Sequence, residues 1–362
     1  MNQKNICIIA GARPNFVKVA PLIRAIRKVE GATYQLVYAG CENDPTLEAT
    51  LFDDLQMPRP DVFLGVDSQS LNEITSRVIA EFDRFLDTHP VDVVIVVDDL
   101  ASTMAAAITA KKRGLRLAHL VAGTRSFDIN MPKEVNRLVI DALSDYLFTA
   151  GVKSNSVATR EQQSEQSQTF MVGNILMDTL RYNLPRFTPP EAIDLQPSGY
   201  IVLTLNRRAL LADEKQLEQT LWAMVDACGD VPLIAPLRSN VLDIVQRIAT
   251  SFPKPASCLK LVPSLPYLEF GWLTAHAMGI ITDSGNVAEE ATFNGVPCIT
   301  LNDYTEHQET VTVGTNVLVG TDQQKLSEAL RLMLNHEWKE AALPIRWDGR
   351  TAERIVRILL YQ

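Results

Sequence analysis

The sequence predicts an α/β protein of two doubly wound halves, each built on a parallel sheet. Three observations carry this. β-Branched and aliphatic runs alternate with amphipathic helical stretches, the mark of repeated βαβ units. The run Asp92-Val93-Val94-Ile95-Val96-Val97 lacks the polar alternation of a half-exposed strand, so both its faces must be covered, as in a parallel sheet. Finally, 183–198 holds Pro185, Pro189, Pro190 and Pro197 while apolar periodicity lapses, which reads as a linker. The expected division is a Rossmann-like domain at 1–182, a linker at 183–198 and a second Rossmann-like domain at 199–350, followed by a helix at about 351–362.

In order, 4–10 reads as a buried strand, 11–15 as a turn, and Val17, Ala20, Ile23 and Ile26 as one face of a helix. Pro21 inside that pattern predicts a kink or a late start. A strand at 34–39 leads to a polar loop at 41–44. A helix at 72–88 carries Ile74, Val78, Phe82 and Phe85 on one face. After the strand at 92–97, Asp98 and Asp99 stand at its carboxyl end, and Ser102 and Thr103 open a helix at 104–112. A strand at 115–121 gives way to a polar loop, then a helix with Pro132 in its first turn. Short strands follow at 146–149 and 169–172. The second half offers strands at 200–205, 232–235, 296–301 and 314–318, helices at 215–227 and 268–275, and an amphipathic helix at 351–360.

The stretch 280–291 is the most informative. Ile280-Ile281-Thr282 ends a strand, Asp283-Ser284-Gly285-Asn286 turns, and Val287-Ala288-Glu289-Glu290-Ala291 begins a helix. A helix opening directly after a strand presents unpaired N–H groups and a positive dipole end, which suit phosphate. Ser284 adds a hydroxyl, Gly285 permits close approach, and an acidic side chain at 289 or 290 suits ribose hydroxyls.

The 362 residues carry a formal net charge of -9, with 46% hydrophobic and 21% charged content. That excludes disorder and argues against a broad nucleic-acid or anionic-membrane surface. Five cysteines are scattered without metal-type spacing, no apolar run reaches membrane-spanning length, and no signal peptide is read, so a cytoplasmic protein is expected. Against this acidic background, Arg13, Arg125, Lys133, Arg207, Arg208 and Arg238 fall in loops at strand ends or helix starts. Such a set points to a phosphate-bearing ligand in a cleft between the halves.

Three groups of segments carry a family resemblance: Gly11-Ala12-Arg13-Pro14 with Lys18-Val19-Ala20-Pro21-Leu22; His119-Leu120-Val121-Ala122-Gly123-Thr124-Arg125-Ser126 with Pro132-Lys133-Glu134-Val135-Asn136-Arg137; and Val172-Gly173-Asn174, Asp283-Ser284-Gly285, Glu289-Glu290-Ala291-Thr292, Gly295-Val296-Pro297-Cys298 and Thr305-Glu306. In these the sequence resembles the non-hydrolysing UDP-N-acetylglucosamine 2-epimerases over nearly its whole length. The resemblance implies a glycosyltransferase-B-like fold, two Rossmann-like domains facing a central cleft, with the last helix packing back on the first domain. It implies interconversion of UDP-GlcNAc and UDP-ManNAc by elimination of UDP to a 2-acetamidoglucal and re-addition, with neither nicotinamide cofactor nor metal. Arg13 from the first domain, with Ser284 and Gly285 of the second, nucleotide-binding domain, would hold the diphosphate, and Glu290 the ribose. A homodimer, or a complex with a paralogue, and a place in surface-polysaccharide synthesis are implied as well.

The acid/base positions depart from the family pattern. Its His-Val-Glu-Ala-Gly glutamate is Val121, the first acid of its Pro-Glu-Glu is Lys133, and its Thr-x-His-Arg-Arg histidine is Asn206. The second glycine of its Ser-Gly-Gly turn is Asn286, and His307 replaces an arginine. Asp99 keeps the family's acid, leaving Asp99, Glu134 and Lys133 as catalytic candidates. Valine carries no proton and asparagine is no base near neutral pH. The expectation is therefore a divergent member that binds a UDP-sugar, with ordinary 2-epimerisation in question. The alternatives are an inactive sugar-nucleotide-binding partner of an active paralogue, and a glycosyltransferase.

Overall fold

The computed structural model describes residues 3–361 except 192 and 194, with backbone only at 49 and 209. Residues 1–2 and 362 of the expected domains and 192 and 194 of the expected linker lie outside the described residues. The chain divides into two compact units: Met1–Tyr182 with Ile345–Gln362, and Asn183–Pro344.

The first unit runs β1 (Lys4–Ala10), α1 (Arg13–Ile26), β2 (Ala32–Tyr38), α2 (Ala49–Leu55), β3 (Val62–Phe63), α3 (Leu71–Thr88), β4 (Val93–Val97), α4 (Ala101–Lys112) and β5 (Arg116–Leu120). It continues through α5 (Pro132–Leu143), β6 (Tyr146–Thr149), α6 (Val152–Arg160), β7 (Gln168–Met171) and α7 (Ile175–Asn183). All strand pairs are parallel, in the order β3-β2-β1-β4-β5-β6-β7. Every residue of β4 is buried, because helices cover both faces, as the unbroken apolar run requires.

The second unit runs β8 (Ile201–Thr204), α8 (Arg208–Ala212), α9 (Glu214–Cys228), β9 (Leu233–Leu237), α10 (Ser239–Ala249), β10 (Leu259–Pro263), α11 (Tyr267–Ala275) and β11 (Gly279–Thr282). It ends with α12 (Gly285–Asn294), β12 (Cys298–Thr300), α13 (Gln308–Thr312), β13 (Asn316–Leu318) and α14 (Gln323–Leu334). Its parallel sheet has the order β10-β9-β8-β11-β12-β13. In both sheets the order reverses beside the first strand of the unit, between β1 and β4 and between β8 and β11. The carboxyl ends of strands at such a reversal leave a crevice where doubly wound sheets take ligands. The turns after β1, β4, β8 and β11 are those holding Arg13, Asp98 and Asp99, Arg207 and Arg208, and Ser284.

Helix α1 starts at Arg13, earlier than the expected turn allowed, and continues past Pro21 to Ile26. A proline cannot donate to the carbonyl four residues back. That carbonyl, on Val17, instead accepts the Thr179 hydroxyl at 2.5 Å. The first unit is closed by residues from the other end of the sequence. Trp347, 2% exposed, donates from its indole to the Ala150 carbonyl at 3.1 Å. Asp178 caps α15 (Thr351–Tyr361) by accepting the Thr351 and Ala352 N–H groups at 3.0 and 2.8 Å, and α15 packs on α1. Among the described residues no helix is long and apolar enough to cross a membrane.

Candidate functional site

In the first unit Asp98 and Asp99 sit on the turn between β4 and α4, while Lys133 and Glu134 lie in the first turn of α5. Asp98 has φ 60°, a left-handed conformation that a non-glycine residue adopts at some strain. Three groups hold it there. Lys18 Nζ lies 2.6 Å from Oδ1, Asn15 Nδ2 donates to Oδ2 at 2.8 Å, and His119 Nε2 meets the main-chain carbonyl at 3.1 Å. Asn15 Oδ1 also accepts the Gly11 and Ala12 N–H groups, tying the start of α1 to the same turn. A Cβ at Gly11 would stand 2.1 Å from Ser102 Oγ, so a side chain there would require Ser102 to move.

Asp99 faces α5. Its Oδ2 receives Arg137 Nε at 2.8 Å and NH2 at 2.6 Å, and its Oδ1 lies 3.5 Å from Lys133 Nζ. Burial works to raise its pKa, but the charges of Lys133 and Arg137 outweigh it and hold Asp99 below the ordinary carboxylate range. The lysine that replaces an acid in the family pattern is thus the partly exposed cation beside the retained acid.

Glu134 is buried and engaged within the unit. It accepts the Ser126 N–H and hydroxyl at 2.8 and 2.9 Å, the Phe127 N–H at 3.2 Å and Arg137 NH1 at 3.1 Å. Burial would raise its pKa, and the Ser126 and Phe127 donors bring it below the usual range. Arg125, read from the sequence as an anion ligand, is turned inward with its side chain 3% exposed. It pairs with Asp141 at 2.7 Å and Glu161 at 2.9 Å. Asp141 also meets His119 Nδ1 at 2.5 Å. Burial opposes its ionisation, yet the His119 and Arg125 charges keep it below its ordinary pKa. Both His119 ring nitrogens thus face oxygen atoms, one of Asp141 and one of the Asp98 main chain. Arg13 is exposed at the first turn of α1. Val121, at the lost glutamate position, has φ 74°, where a β-branched residue is strained. A cavity of about 450 Å³ opens between the ends of β1 and β2 and the start of α4, lined by Gly11, Gly40, Cys41, Asp44, Asp67 and Ser102 among others.

In the second unit Ser284 is the N-cap of α12 with no cap bond from its side chain, so the hydroxyl and the first N–H groups of Gly285 and Asn286 remain open to a ligand. Asp283 joins the two turns of the sheet reversal, its Oδ2 accepting the Asn206 and Arg207 N–H groups at 2.7 Å each. Burial raises its pKa, against those two bonds. Asn206, Arg207 and Arg208 are exposed after β8, with Arg207 5.7 Å over the Tyr304 ring, and Arg238 is exposed as the N-cap of α10.

Glu290 is 9% exposed and has no hydrogen bond to a described residue. Burial and then the neighbouring Glu289 raise its pKa to about 8. A carboxyl buried this way is left for a donor that the protein itself does not supply. The folded chain holds a proton here that the unfolded chain has released, from the ordinary glutamate range up to about pH 8. Stability therefore falls as pH climbs through that window and levels off above it. Glu290→Gln is expected to remove this slope, making the variant more stable than the parent at pH 8 by a few kcal/mol at about 1.4 per pKa unit. Melting temperatures at pH 5 and pH 8 read it, and parallel pH profiles of parent and variant would contradict it.

The UDP-N-acetylglucosamine 2-epimerase family profile matches residues 24–360. A UDP-N-acetylglucosamine 2-epimerase of Methanocaldococcus jannaschii is 33% identical over 98% of this chain and 99% of its own. A UDP-2,3-diacetamido-2,3-dideoxy-D-glucuronate 2-epimerase of Pseudomonas aeruginosa is 30% identical over 98% and 99%. The M. jannaschii UDP-GlcNAc 2-epimerase crystallised with UDP-GlcNAc and UDP superimposes with a TM-score of 0.83, covering 99% of this chain and all of that one at 32% identity. The expected glycosyltransferase-B-like fold of parallel sheets with alternating helices holds. With the motifs, both sheet orders and the full-length match in agreement, the chain belongs to the UDP-N-acetylglucosamine 2-epimerase family.

Proposed function

We propose that the protein binds a UDP-sugar, UDP-GlcNAc or a modified UDP-N-acetylhexosamine, and acts on it as an isomerase with altered acid/base groups. The observation that carries the nucleotide assignment is the unpartnered, buried carboxyl of Glu290 on a helix whose first turn is open. Ser284, Gly285 and Asn286 would take the diphosphate, Glu290 the ribose hydroxyls, and exposed Arg13, Arg207, Arg208 and Arg238 would supply further cations. The sugar chemistry would fall to Asp99, the acid held ionised by Arg137 and Lys133, with no proton carrier at Val121 or Asn206. Lys133, its side chain 58% exposed, suits a carboxylated sugar, the substrate type named for the Pseudomonas relative.

A second reading, a binding protein without turnover in a homodimer or beside an active paralogue, is favoured by the substitutions Val121, Lys133 and Asn206. Proton NMR of the protein with UDP-GlcNAc in heavy water separates the two. Deuterium at sugar C2, or a glucal with free UDP, supports the isomerase. Binding without exchange favours the second reading, and absence of both overturns the UDP-GlcNAc assignment.

A further inference from the structure

Beside the open turn of α12 lies a pairing that the nucleotide assignment above does not use. Glu289, its side chain 3% exposed, holds His307 Nδ1 at 2.9 Å. The other edge of the imidazole covers the start of the helix: a Cβ built at Gly285 would stand 3.3 Å from His307 Cδ2 and 3.7 Å from Nε2. The ring keeps 18% of its side-chain surface. One nitrogen thus rests on a buried carboxylate, while the edge bearing the other lies against the first residue of α12.

The electrostatics of this spot pull in opposite directions. The positive end of the α12 dipole disfavours an imidazolium there, and the Glu289 carboxylate favours one. An anion at the helix start removes the first objection and leaves the second influence in place. Binding of a diphosphate and protonation of His307 then assist each other, since each improves the surroundings of the other. The neutral ring, with its proton on Nδ1 toward Glu289, would turn a lone pair toward the same anion.

Resting on the UDP-sugar reading, we propose that His307, held by Glu289, is a proton-dependent cation for the diphosphate, so that the grip on a UDP-sugar weakens as the imidazole loses its proton. The other charged groups to be counted are Glu290 next to Glu289 on α12, Glu306 and Glu309 on either side of His307, and Arg207 stacked over Tyr304. Glu290 itself titrates near 8, so the pH profile of the parent alone does not isolate the histidine.

The experiment is titration calorimetry of the full chain with UDP-GlcNAc from pH 5.5 to 8.5, in the parent, His307→Arg and His307→Gln. UDP-GlcNAc is used because its phosphates are diesters, whereas a terminal phosphate ionises near about 6 and adds its own pH dependence. A charge-assisted hydrogen bond supports an expected loss of about tenfold or more in parent affinity across this range. His307→Arg, always charged, is expected to bind as tightly at pH 8.5 as the parent at pH 5.5, keeping only the slope that Glu290 contributes. His307→Gln is expected to be weak throughout with that same residual slope. Superimposable pH profiles of parent and His307→Arg would overturn the proposal. Uridine, which lacks phosphate, serves as the control: if neither uridine nor UDP-GlcNAc binds the parent, the UDP-sugar reading itself has failed, whereas binding with unchanged profiles removes only the role of His307.

Discussion

Asp141→Asn is expected to destabilise the first unit by about 3–5 kcal/mol, the effect of removing one partner from a buried ion pair. The carboxylate accepts from His119, from Arg125 and from the Gly123 N–H at 3.1 Å, so its neutral replacement leaves the Arg125 guanidinium and these donors with less compensation in a closed interior. Urea unfolding followed by the fluorescence of Trp347, the tryptophan packed within this unit, reads the shift. The double variant Asp141→Asn with Arg125→Met is expected to recover part of the loss, because it also removes the stranded guanidinium. Arg125→Met alone is expected to be costly as well, since Asp141 and Glu161 both pair with that group. A change below about 1 kcal/mol in Asp141→Asn would place the network among weak surface pairs, against the 3% exposure of the Arg125 side chain.

If the protein turns over a UDP-sugar as proposed, Asp99→Asn is expected to lower that turnover by about 10²–10⁴-fold, the usual effect of removing a general acid or base. Affinity for UDP should not change, since the nucleotide-holding groups proposed for the second unit are untouched. Lys133→Ala acts on the same carboxylate from the other direction. Lys133 and Arg137 lower the Asp99 pKa, so losing one cation raises it. The acid limb of the pH–rate profile should move upward toward the ordinary aspartate range, while Glu134, engaged by Ser126 and Phe127, stays as it is. Exchange of the C2 proton in heavy water, followed across pH for the parent and both variants, gives all of these quantities. An Asp99→Asn protein that exchanges at the parental rate would remove Asp99 from the chemistry.

The architecture was legible because its central strands are the most apolar parts of the chain. β1, β4, β8 and β11 lie at the sheet reversals, where helices cover both faces and leave unbroken Val, Ile and Leu runs. Edge elements were not so readable. β10, Leu-Lys-Leu-Val-Pro, is polar enough to pass for a loop, and β3 has only two residues. Helices α10 and α14 are amphipathic, and their apolar period is readable in the sequence. At the candidate site, residue types and spacing name loops at strand ends, but not the direction each side chain takes. Arg125 and Arg13 look alike in sequence, both arginines in polar turns after strands. One lies inside between two carboxylates and the other is exposed, a distinction made by Asp141 and Glu161, 16 and 36 residues further along. The strain at Asp98 and Val121 was equally invisible, since φ is fixed by the turn and its hydrogen bonds, independently of the residue that occupies it. The sequence shows His307 where the family pattern has an arginine; its contact with Glu289 depends on how the loop folds over α12.

The dependence of the first unit on residues 345–361 bears on the order in which the protein is made. During synthesis the ribosome releases β1 to α7 well before α15, yet the face of α1 that α15 covers and the carboxylate of Asp178 that caps it remain incomplete until then. The second unit, whose residues are contiguous from Asn183 to Pro344, can finish folding first although it is translated later. A chain ending after residue 344 and released from the ribosome should therefore protect the second unit from protease and leave α1 open to it.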